Sequence, residues 1–238
     1  MLQSRFFNSP AKVNLFFCVL GKHIEGLHEI YSVMSTLDFF DTLSFSPASS
    51  DQFLSNKPHL KNNHSNLVVR ARDLWRKYSG IISPIKIELK KNIPLGSGLA
   101  GGSSNAATTL WALNEIYDHP LCIETLKHLA VKLGSDVSFF FSSGLSLVSK
   151  QGQQVDDLDL PFSKTIHLFL SEDIHSSTKD VFLNLNEFST FYKASTLLKK
   201  FKCSEIVIHN DLLKPALNLY PGLHDRYLNL LKTKLHKN

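Results

Sequence analysis

The 238-residue sequence predicts an α+β fold, and three observations support this class. Some segments alternate apolar and polar residues with period 2, as strands do, and others repeat apolar residues three and four positions apart, as helices do. The first half also lacks the strand–helix–strand spacing of a dinucleotide-binding fold. The composition is that of a globular chain, because 43% of residues are hydrophobic and the 11 Gly, 9 Pro and 3 Cys are unremarkable numbers. Collagen-like, disulfide-dense and fully disordered classes are therefore excluded.

Two β segments are predicted at the start of the chain. Residues 10–20 place apolar side chains on one side of a strand, which leaves Lys12 and Asn14 together on the opposite side. The next run, His28–Phe45, is rich in β-branched and aromatic residues and predicts one or two strands with a turn near Asp41.

Helix signals follow these strands. From Leu67, apolar residues recur at i, i+4, i+7, i+8 and i+11, with Asn66 available as N-cap and Gly80 just past the end. The other predicted elements are a loop or weak edge strand over 46–65, a strand over Pro84–Ile93, helices over Ala106–Tyr117 and Ile123–Leu133, a strand over Val137–Val148, a strand over Thr165–Leu170, mostly helix over Val181–Leu198, a short strand over Glu205–Ile208 and a helix over Tyr227–Leu235. A polar stretch over 149–161 predicts a soft boundary between domains 1–158 and 159–238.

Charge and cysteine usage restrict the partners and the compartment. The formal net charge of +5 suits an anionic substrate, but it is spread along the chain, so nucleic-acid binding is not indicated. Three cysteines without CxxC spacing fit a reducing compartment, and we expect a cytoplasmic protein. No signal peptide or membrane-spanning run is predicted. Histidines do not stand at metal-ligand spacing beside Cys or carboxylates, so no metal-ligating residues are predicted, and GxSxG is absent.

The strongest functional signal is a glycine-rich loop between a predicted strand and a predicted helix. Its residues are Pro94, Leu95, Gly96, Ser97, Gly98, Leu99, Ala100, Gly101, Gly102, Ser103 and Ser104. Such a loop can turn successive backbone N–H groups toward a ligand, and the following helix adds unpaired amides and the positive end of its dipole, which suits phosphate. A flexible connector is the alternative. A Walker loop is excluded because no lysine follows the glycines.

Three ordered blocks resemble the GHMP small-molecule kinases. They are PAKVNLFF at 10–17, PLGSGLAGGSSNAA at 94–107 and GSDVSFFF at 134–141, and HNDLLKP at 209–215 is similar to the ND element of the superfamily. Within the superfamily, the blocks are most similar to the family that phosphorylates 4-diphosphocytidyl-2-C-methyl-D-erythritol. The resemblance implies a two-lobe architecture, with an N-terminal lobe like ribosomal protein S5 and a partial ferredoxin-like C-terminal lobe.

The resemblance also assigns catalytic and nucleotide-binding roles. Lys12 and Asp136 match the catalytic pair, in which the aspartate accepts the proton of the attacking hydroxyl and the lysine offsets charge near the transferring phosphoryl group. The loop would wrap the triphosphate of ATP, with Ser103 and Ser104 near phosphate or Mg²⁺. Asn66 matches a position close to the adenine, although a role as helix cap explains it equally well.

On the substrate side, Asn14, His28 and Lys91 match groups that contact the cytidine diphosphate portion, and Phe182 matches an aromatic that stacks on cytosine. Two features depart from the family pattern. Leu27 stands where the family usually has a tyrosine before the histidine, and a third glycine motif is not found after the ND element. We therefore expect a member that lacks this motif.

The implied activity is a phosphotransfer with an alcohol acceptor, from ATP with Mg²⁺ to the 2-hydroxyl of the cytidine diphosphate-linked methylerythritol, in non-mevalonate isoprenoid biosynthesis. A monomer or weak homodimer is expected. Three alternatives stay open at this point: another GHMP kinase with a mevalonate-type or homoserine-type substrate, a nucleotide-binding protein with little or no activity, and a dinucleotide-dependent oxidoreductase.

Overall fold

A computed structural model describes residues 4–22, 27–162, 164–170, 174, 176–205 and 207–235. Within them the chain forms one six-stranded sheet and a set of helices, which confirms the α+β class. The strands are β1 (Arg5–Lys22), β2 (His28–Pro47), β3 (Gln52–Ser55), β4 (Ile85–Lys90), β5 (Leu145–Lys150) and β6 (Gln154–Asp157). The helices are α1 (Leu67–Ser79), α2 (Gly101–Ile116), α3 (Ile123–Leu133), α4 (Thr178–Leu183), α5 (Phe191–Lys202), α6 (Leu213–Leu219) and α7 (Pro221–Leu235), with a 3₁₀ turn at Ser138–Phe141.

The long strand β2 organises the sheet. It pairs antiparallel with β1 along one side over its whole length. Its other side pairs antiparallel with β5 over 30–35 and with β4 over 42–47. Strand β3 joins β4 in parallel, and β6 joins β5 antiparallel. The turn predicted near Asp41 is wrong: β2 continues through it, because the Asp41 carboxylate bonds backbone amides of another segment and not those of a local turn.

Irregularities in β1 change which side chains reach the two faces of the sheet. The register shifts between Pro10 and Lys12 and again between Asn14 and Phe16. Lys12 and Asn14 lie on the same face of the sheet, as predicted from period 2. After the second shift, Phe17 also lies on that face. A β-bulge inserts one extra residue and so reverses the alternation beyond it. The strict alternation predicted over 10–20 is therefore wrong after Asn14.

Helices α1, α2 and α3 cover the sheet and bury the main core with it. Leu43, Phe45 and Ile87 of the sheet pack against Trp75 of α1 and Leu110 of α2 in that core. The predicted bounds of α1 are confirmed by its caps. The Asn66 side chain accepts a bond from the Val68 amide (3.0 Å), and Gly80 adopts the left-handed conformation (φ 74°) that ends many helices.

The C-terminal part differs more from the predictions. The segment from Val181 to Leu198 is split into α4 and α5, each begun by its own N-cap, Ser177 and Thr190. Neither Thr165–Leu170 nor the described part of 205–208 is a strand; residue 206 lies outside the described residues. In the first of these segments Phe169 is 68% exposed, while Leu168 packs against the buried cluster that contains Ala11 of β1 without pairing as a strand. Beyond β6, the described residues add no strand to the sheet, but they bond β1 through a bridge between Phe17 and Asn210 and through the Ser189 amide, which donates to the Val19 carbonyl (2.8 Å).

Other predicted bounds are corrected in the same way. Within Val137–Val148, only the end belongs to a strand, β5, and 138–141 form the 3₁₀ turn. The last helix begins at Pro221, earlier than predicted, and α6 precedes it. No helix in the described part of the chain is both long and apolar enough to cross a bilayer.

Candidate active site

A cleft of about 810 Å³ lies where the glycine-rich loop, β1, the start of β2, the turn after α3, and helices α4 and α6 meet. Its walls therefore come from both the sheet and the C-terminal part of the chain. Most of the predicted site residues line it: Lys12, Asn14, His28, Lys91, Pro94, Leu95, Gly96, Ser97, Gly98, Ala100, Gly101, Gly102, Asp136 and Phe182. Four others, Asn66, Leu99, Ser103 and Ser104, do not line it.

Lys12 and Asp136 meet inside this cleft although they are far apart in sequence. The Lys12 Nζ lies 3.9 Å from the Asp136 Oδ2. The lysine side chain is 6% exposed and the aspartate side chain 37%, so the ammonium is covered while the carboxylate is open to the cleft. Among the described residues that line the cleft, Asp136 is the only carboxylate. The pair therefore places a proton acceptor beside a fixed positive charge.

The loop has the backbone conformation of an anion-binding nest. The φ angles of Gly96, Gly98 and Ala100 are 67°, 75° and 54°, and the residues between them have ordinary negative values. Alternation of right- and left-handed residues points successive N–H groups to one side, where they attract anions. Ala100 is the N-cap of α2 and gives no side-chain cap, so the first turn of α2 keeps its amides free of side-chain partners. The Lys12 amide donates to the Leu99 carbonyl (3.1 Å), which fixes the loop to the strand that carries the ammonium.

A buried carboxylate holds both ends of the loop. Asp41 on β2 is fully buried, and its Oδ1 accepts bonds from the amides of Asn92 (2.7 Å) and Ile93 (2.8 Å), where the chain enters the loop. Its Oδ2 accepts from the Lys91 ammonium and from the Asn105 side chain (2.9 Å) on α2, where the chain leaves the loop. One side chain thus connects β2, the start of the loop and α2.

Lys91 is placed differently from a ligand-binding lysine in solvent. Its ammonium is bound to Asp41 and Asn105 (3.2 Å), and the residue is 3% exposed. Burial lowers the pKa of Lys91 because it disfavours the charged form, and Asp41 offsets part of this effect. Because the ammonium is already bonded within the protein, the ion pair with Asp41 does not favour a contact between Lys91 and the cytidine diphosphate portion. That contact stays a prediction.

Serine 104 is similarly engaged. Its hydroxyl oxygen accepts a bond from the Ser9 hydroxyl (2.8 Å). The Ser9 oxygen in turn accepts a bond from the side-chain Nδ2 of Asn105 (2.9 Å). Both serines are fully buried. Ser104 therefore packs beneath α2. Because its side chain is not exposed to the cleft, the structure does not support the predicted role near phosphate or Mg²⁺. Asn66 is engaged as the cap of α1, the alternative already considered for it.

Aromatic rings form the other end of the cleft. The rings of His28 and Phe182 stack with centroids 4.5 Å apart and planes at 26°, and Phe17 meets Phe182 edge to face at 6.3 Å. Burial, and secondarily the charge of Lys22, lowers the pKa of His28 below its ordinary value. Leu27 also lines the cleft. This end therefore offers flat apolar surface with a neutral imidazole.

Several polar residues of the cleft were missed in the sequence: Lys22, Ser135, Gln151, Lys179 and Asn210. Ser135 and Asn210 lie within the blocks at 134–141 and 209–215, which could have indicated them, whereas Lys22, Gln151 and Lys179 lie on ordinary polar segments that no local pattern distinguishes. Two of them are lysines at the aromatic end, which is where an anionic substrate group would be attracted.

Comparison with known proteins identifies a family model and curated relatives. The model of the GHMP kinases N terminal domain matches residues 66–144. The 4-diphosphocytidyl-2-C-methyl-D-erythritol kinase of Protochlamydia amoebophila is 36% identical over 223 residues, which cover 94% of this chain and 76% of the relative. The kinase of the same name from a Sulfurihydrogenibium species is 34% identical over 226 residues, covering 92% of this chain and 82% of the relative.

A solved structure agrees with these relatives. The crystal structure of a 4-(cytidine 5'-diphospho)-2C-methyl-D-erythritol kinase superimposes with a TM-score of 0.72 at 29% identity. The match covers 93% of this chain and 80% of that one. The similarity therefore includes the C-terminal part, where the sequence blocks are sparse.

The glycine at the start of α2 is predicted to be required and its neighbour is not. A Cβ on Gly101 would lie 2.6 Å from the Lys91 Nζ, which Asp41 holds in place, and 2.9 Å from the Ile93 Cγ2. A Cβ on Gly102 would make only an ordinary contact, 3.7 Å from Leu67. We expect Gly101→Ala to lower the free energy of unfolding by about 1–3 kcal/mol through overpacking. Gly102→Ala should leave it unchanged or raise it by up to about 1 kcal/mol through helix propensity.

Urea denaturation of both variants tests this expectation. Equal effects of the two substitutions would show that the close approach of α2 to Lys91 does not constrain the loop.

Removal of the buried carboxylate should be costly because it leaves the Lys91 ammonium without its counter-ion. We expect Asp41→Ala to lower the free energy of unfolding by about 3–5 kcal/mol, as for other buried pairs that lose one partner. Asp38→Ala, an exposed aspartate on the same strand, is the control and should change it by less than about 0.5 kcal/mol. Denaturant titration measures both, and a loss of under 1 kcal/mol in Asp41→Ala would contradict the central place given to this carboxylate.

Proposed function

Because this chain belongs to the 4-diphosphocytidyl-2-C-methyl-D-erythritol kinase family of the GHMP kinases, we propose that it transfers the γ-phosphate of ATP to the 2-hydroxyl of 4-diphosphocytidyl-2-C-methyl-D-erythritol. The observation that carries this proposal is the meeting of Lys12 and Asp136, 3.9 Å apart, in the same cleft as the glycine-rich loop. The reaction contributes to the supply of isoprenoid precursors by the non-mevalonate route.

The loop supports ATP as the phosphate donor. Its left-handed residues alternate along a segment that lines the cleft, an arrangement that can present backbone amides to an anion, and α2 adds the positive end of its dipole. A Cβ on Gly98 would meet no protein atom within 4 Å, so space is open on that side of the loop. Gly101, in contrast, packs so closely on Lys91 and Ile93 that the backbone of α2 approaches the strand below it. The residues present therefore fit a polyphosphate bound along the backbone.

Magnesium is part of the same proposal. Mg²⁺ keeps several waters and is usually bound by one or two carboxylates together with substrate phosphates. Asp136, the only carboxylate among the described residues that line the cleft, is assigned to the proton of the hydroxyl, so the ion would be held mainly through the phosphates of ATP and water. When bound, the ion would neutralise charge on the β- and γ-phosphates.

The two catalytic side chains divide the work of phosphoryl transfer. The substrate hydroxyl oxygen forms a bond to the γ-phosphorus as the bond from that phosphorus to the bridging oxygen breaks. The Asp136 carboxylate accepts the hydroxyl proton, and the ADP oxygen leaves with the electron pair. The Lys12 ammonium, held in the cleft wall, compensates negative charge on the transferring group. Direct transfer is favoured because the chemistry requires positioning and charge compensation and no covalent intermediate.

The aromatic end of the cleft supports a cytidine diphosphate-linked substrate. His28 covers one face of the Phe182 ring, so a pyrimidine would stack on the opposite face, and base stacking on an aromatic side chain is typically worth about 1–3 kcal/mol. Lys22 and Lys179 supply positive charge for a diphosphate at the same end. Asn14 lies between this end and Lys12, where it can bond a hydroxyl of the substrate. Leu27 supplies only apolar contact where the family has a second ring.

The cellular setting is proposed on more general grounds. All three cysteines are free, which suits the reducing cytoplasm. We propose a monomer or weak homodimer that acts on its small-molecule substrate without nucleic acid.

The activity itself is tested by ADP release coupled to a second enzyme, with ATP, Mg²⁺ and a panel of alcohols. We expect turnover with 4-diphosphocytidyl-2-C-methyl-D-erythritol and at most background rates with homoserine and mevalonate. Faster turnover of another alcohol would assign a different GHMP kinase activity. ATP binding by calorimetry without ADP release from any alcohol would instead indicate a nucleotide-binding protein.

The role of Asp136 is tested by Asp136→Asn, which keeps the shape of the side chain and removes the proton acceptor. We expect kcat to fall roughly 100-fold or more, the contribution typical of a general base, while ATP affinity stays nearly unchanged. Asp156→Asn, an exposed carboxylate on β6, is the matched control and should retain normal turnover. Near-normal kcat in Asp136→Asn would remove this residue from the mechanism.

A further inference from the structure

A second cluster of reactive side chains lies outside the cleft, where the C-terminal part of the chain meets β1. Cys18 belongs to β1, and His209 and Asp211 belong to the segment between α5 and α6. The cysteine sulfur, an imidazole nitrogen and a carboxylate oxygen all lie within 4.8 Å of one another. None of the three residues lines the cleft. The kinase chemistry therefore does not account for this grouping.

The backbone fixes the three residues relative to one another. The Phe17 amide donates to the His209 carbonyl (2.8 Å), and the Asp211 amide donates to the Phe17 carbonyl (3.0 Å). The Val19 amide donates to the Asp211 Oδ2 (2.8 Å). Cys18 thus lies between Phe17 and Val19, whose backbone groups bond the segment that carries His209 and Asp211. A cluster built on such a ladder is preorganised, because few torsions remain to be fixed when a ligand binds.

The polar atoms converge on one point. The His209 Nε2 lies 2.8 Å from the Asp211 Oδ1. The Ser189 hydroxyl lies 3.3 Å from that nitrogen and 3.1 Å from that oxygen. Because the Val19 amide occupies the second carboxylate oxygen, Oδ1 is oriented toward the imidazole, the hydroxyl and the sulfur. Second-shell bonds of this kind orient the ligands in metal sites.

The charges of the cluster match a divalent cation. The Cys18 sulfur lies within 4.8 Å of a carboxylate oxygen of Asp211. A thiolate beside the carboxylate would place two negative charges in a mostly buried position: Cys18 is fully buried, and the His209 and Asp211 side chains are 20% and 11% exposed. A divalent cation would cancel both charges, which removes the cost of burying them.

We propose that Cys18, His209 and Asp211 form a binding site for one thiophilic divalent cation of the Zn²⁺ class, with the Ser189 hydroxyl or a water as a further ligand. Sulfur, imidazole nitrogen and carboxylate oxygen are the ligands that Zn²⁺ takes in proteins, whereas Mg²⁺ prefers oxygen alone. On binding, the thiol proton passes to solvent and a sulfur–metal bond forms, without any change of oxidation state.

The site would cross-link the two parts of the chain that enclose the cleft. Cys18 is adjacent to Phe17, whose ring lies in the cleft wall against Phe182. His209 and Asp211 flank Asn210, which lines the cleft from the C-terminal side. A cation bound by the folded chain and not by the unfolded one adds to stability by mass action. Its effect would be greatest on the docking of the C-terminal segment onto β1.

Cobalt titration tests the proposal on the full-length chain without any use of its kinase activity. The test protein is Cys122→Ser/Cys203→Ser, in which both exposed cysteines are removed and Cys18 is the only thiol left. After treatment with a chelator, we expect one equivalent of Co²⁺ to bind and to produce a thiolate-to-cobalt charge-transfer absorption, which Zn²⁺ then abolishes by displacement. Because binding releases the thiol proton, affinity should fall as the pH is lowered.

Three further variants separate a metal site from a hydrogen-bonded cluster. Cys18→Ala should abolish the charge-transfer band, and Asp211→Asn should weaken Co²⁺ binding at least tenfold. Ser189→Ala should weaken it by about 10–100-fold, as for other groups that orient metal ligands. Circular dichroism checks the fold of each. Failure of the double variant to bind one equivalent with the sulfur band overturns the proposal whatever the other variants do, and so does a band that persists in Cys18→Ala.

Discussion

The Asp41 carboxylate is the constraint on which the nucleotide half of the cleft depends. It is fully buried, so its desolvation must be compensated by bonds within the protein. Two backbone amides, one ammonium and one carboxamide supply those bonds, and they come from the two ends of the glycine-rich loop. The loop can contain left-handed residues and few side chains because its ends are fixed by a group outside it. Its N–H groups are thereby held in place before any ligand arrives.

The same carboxylate aligns the loop with Lys12. Asp41 lies opposite Ser9 in the pairing of β2 with β1, and Asn105 bonds to both residues. Three residues further along β1, the Lys12 amide bonds to the Leu99 carbonyl of the loop. The Lys12 ammonium and the backbone amides of the loop therefore share one rigid frame. For a reaction in which the protein contributes mainly position and charge, this rigidity is the principal contribution of the fold.

Local signals in the sequence predicted those parts of the molecule that depend on neighbours in sequence. The caps of α1, the loop before α2 and the period of β4 are of this kind. Lys12 and Asp136 required the resemblance to a family, because neither residue stands in a pattern that distinguishes it from a surface residue. Lys91 and Ser104 matched a binding motif by position, yet their buried partners, Asp41 and Ser9, lie in other strands. Tertiary structure decides which partner a buried polar side chain bonds, so the local sequence does not show it.

The two walls of the cleft are held by different amounts of buried surface. The nucleotide side rests on the main core between the sheet and α1, α2 and α3, whereas α4 and α6 contact the sheet through a smaller cluster in which Phe182 and Leu212 pack against Phe17. Elements with fewer buried contacts open at lower free energy than the core. The bonds that Asp211 makes to β1 are therefore important for the position of the C-terminal wall of the cleft. They fix that wall to the same strand that carries Lys12. The glycine-rich loop and the aromatic end of the cleft are thus joined through β1, and the position of the C-terminal segment along that strand sets how far the aromatic rings lie from Lys12 and Asp136.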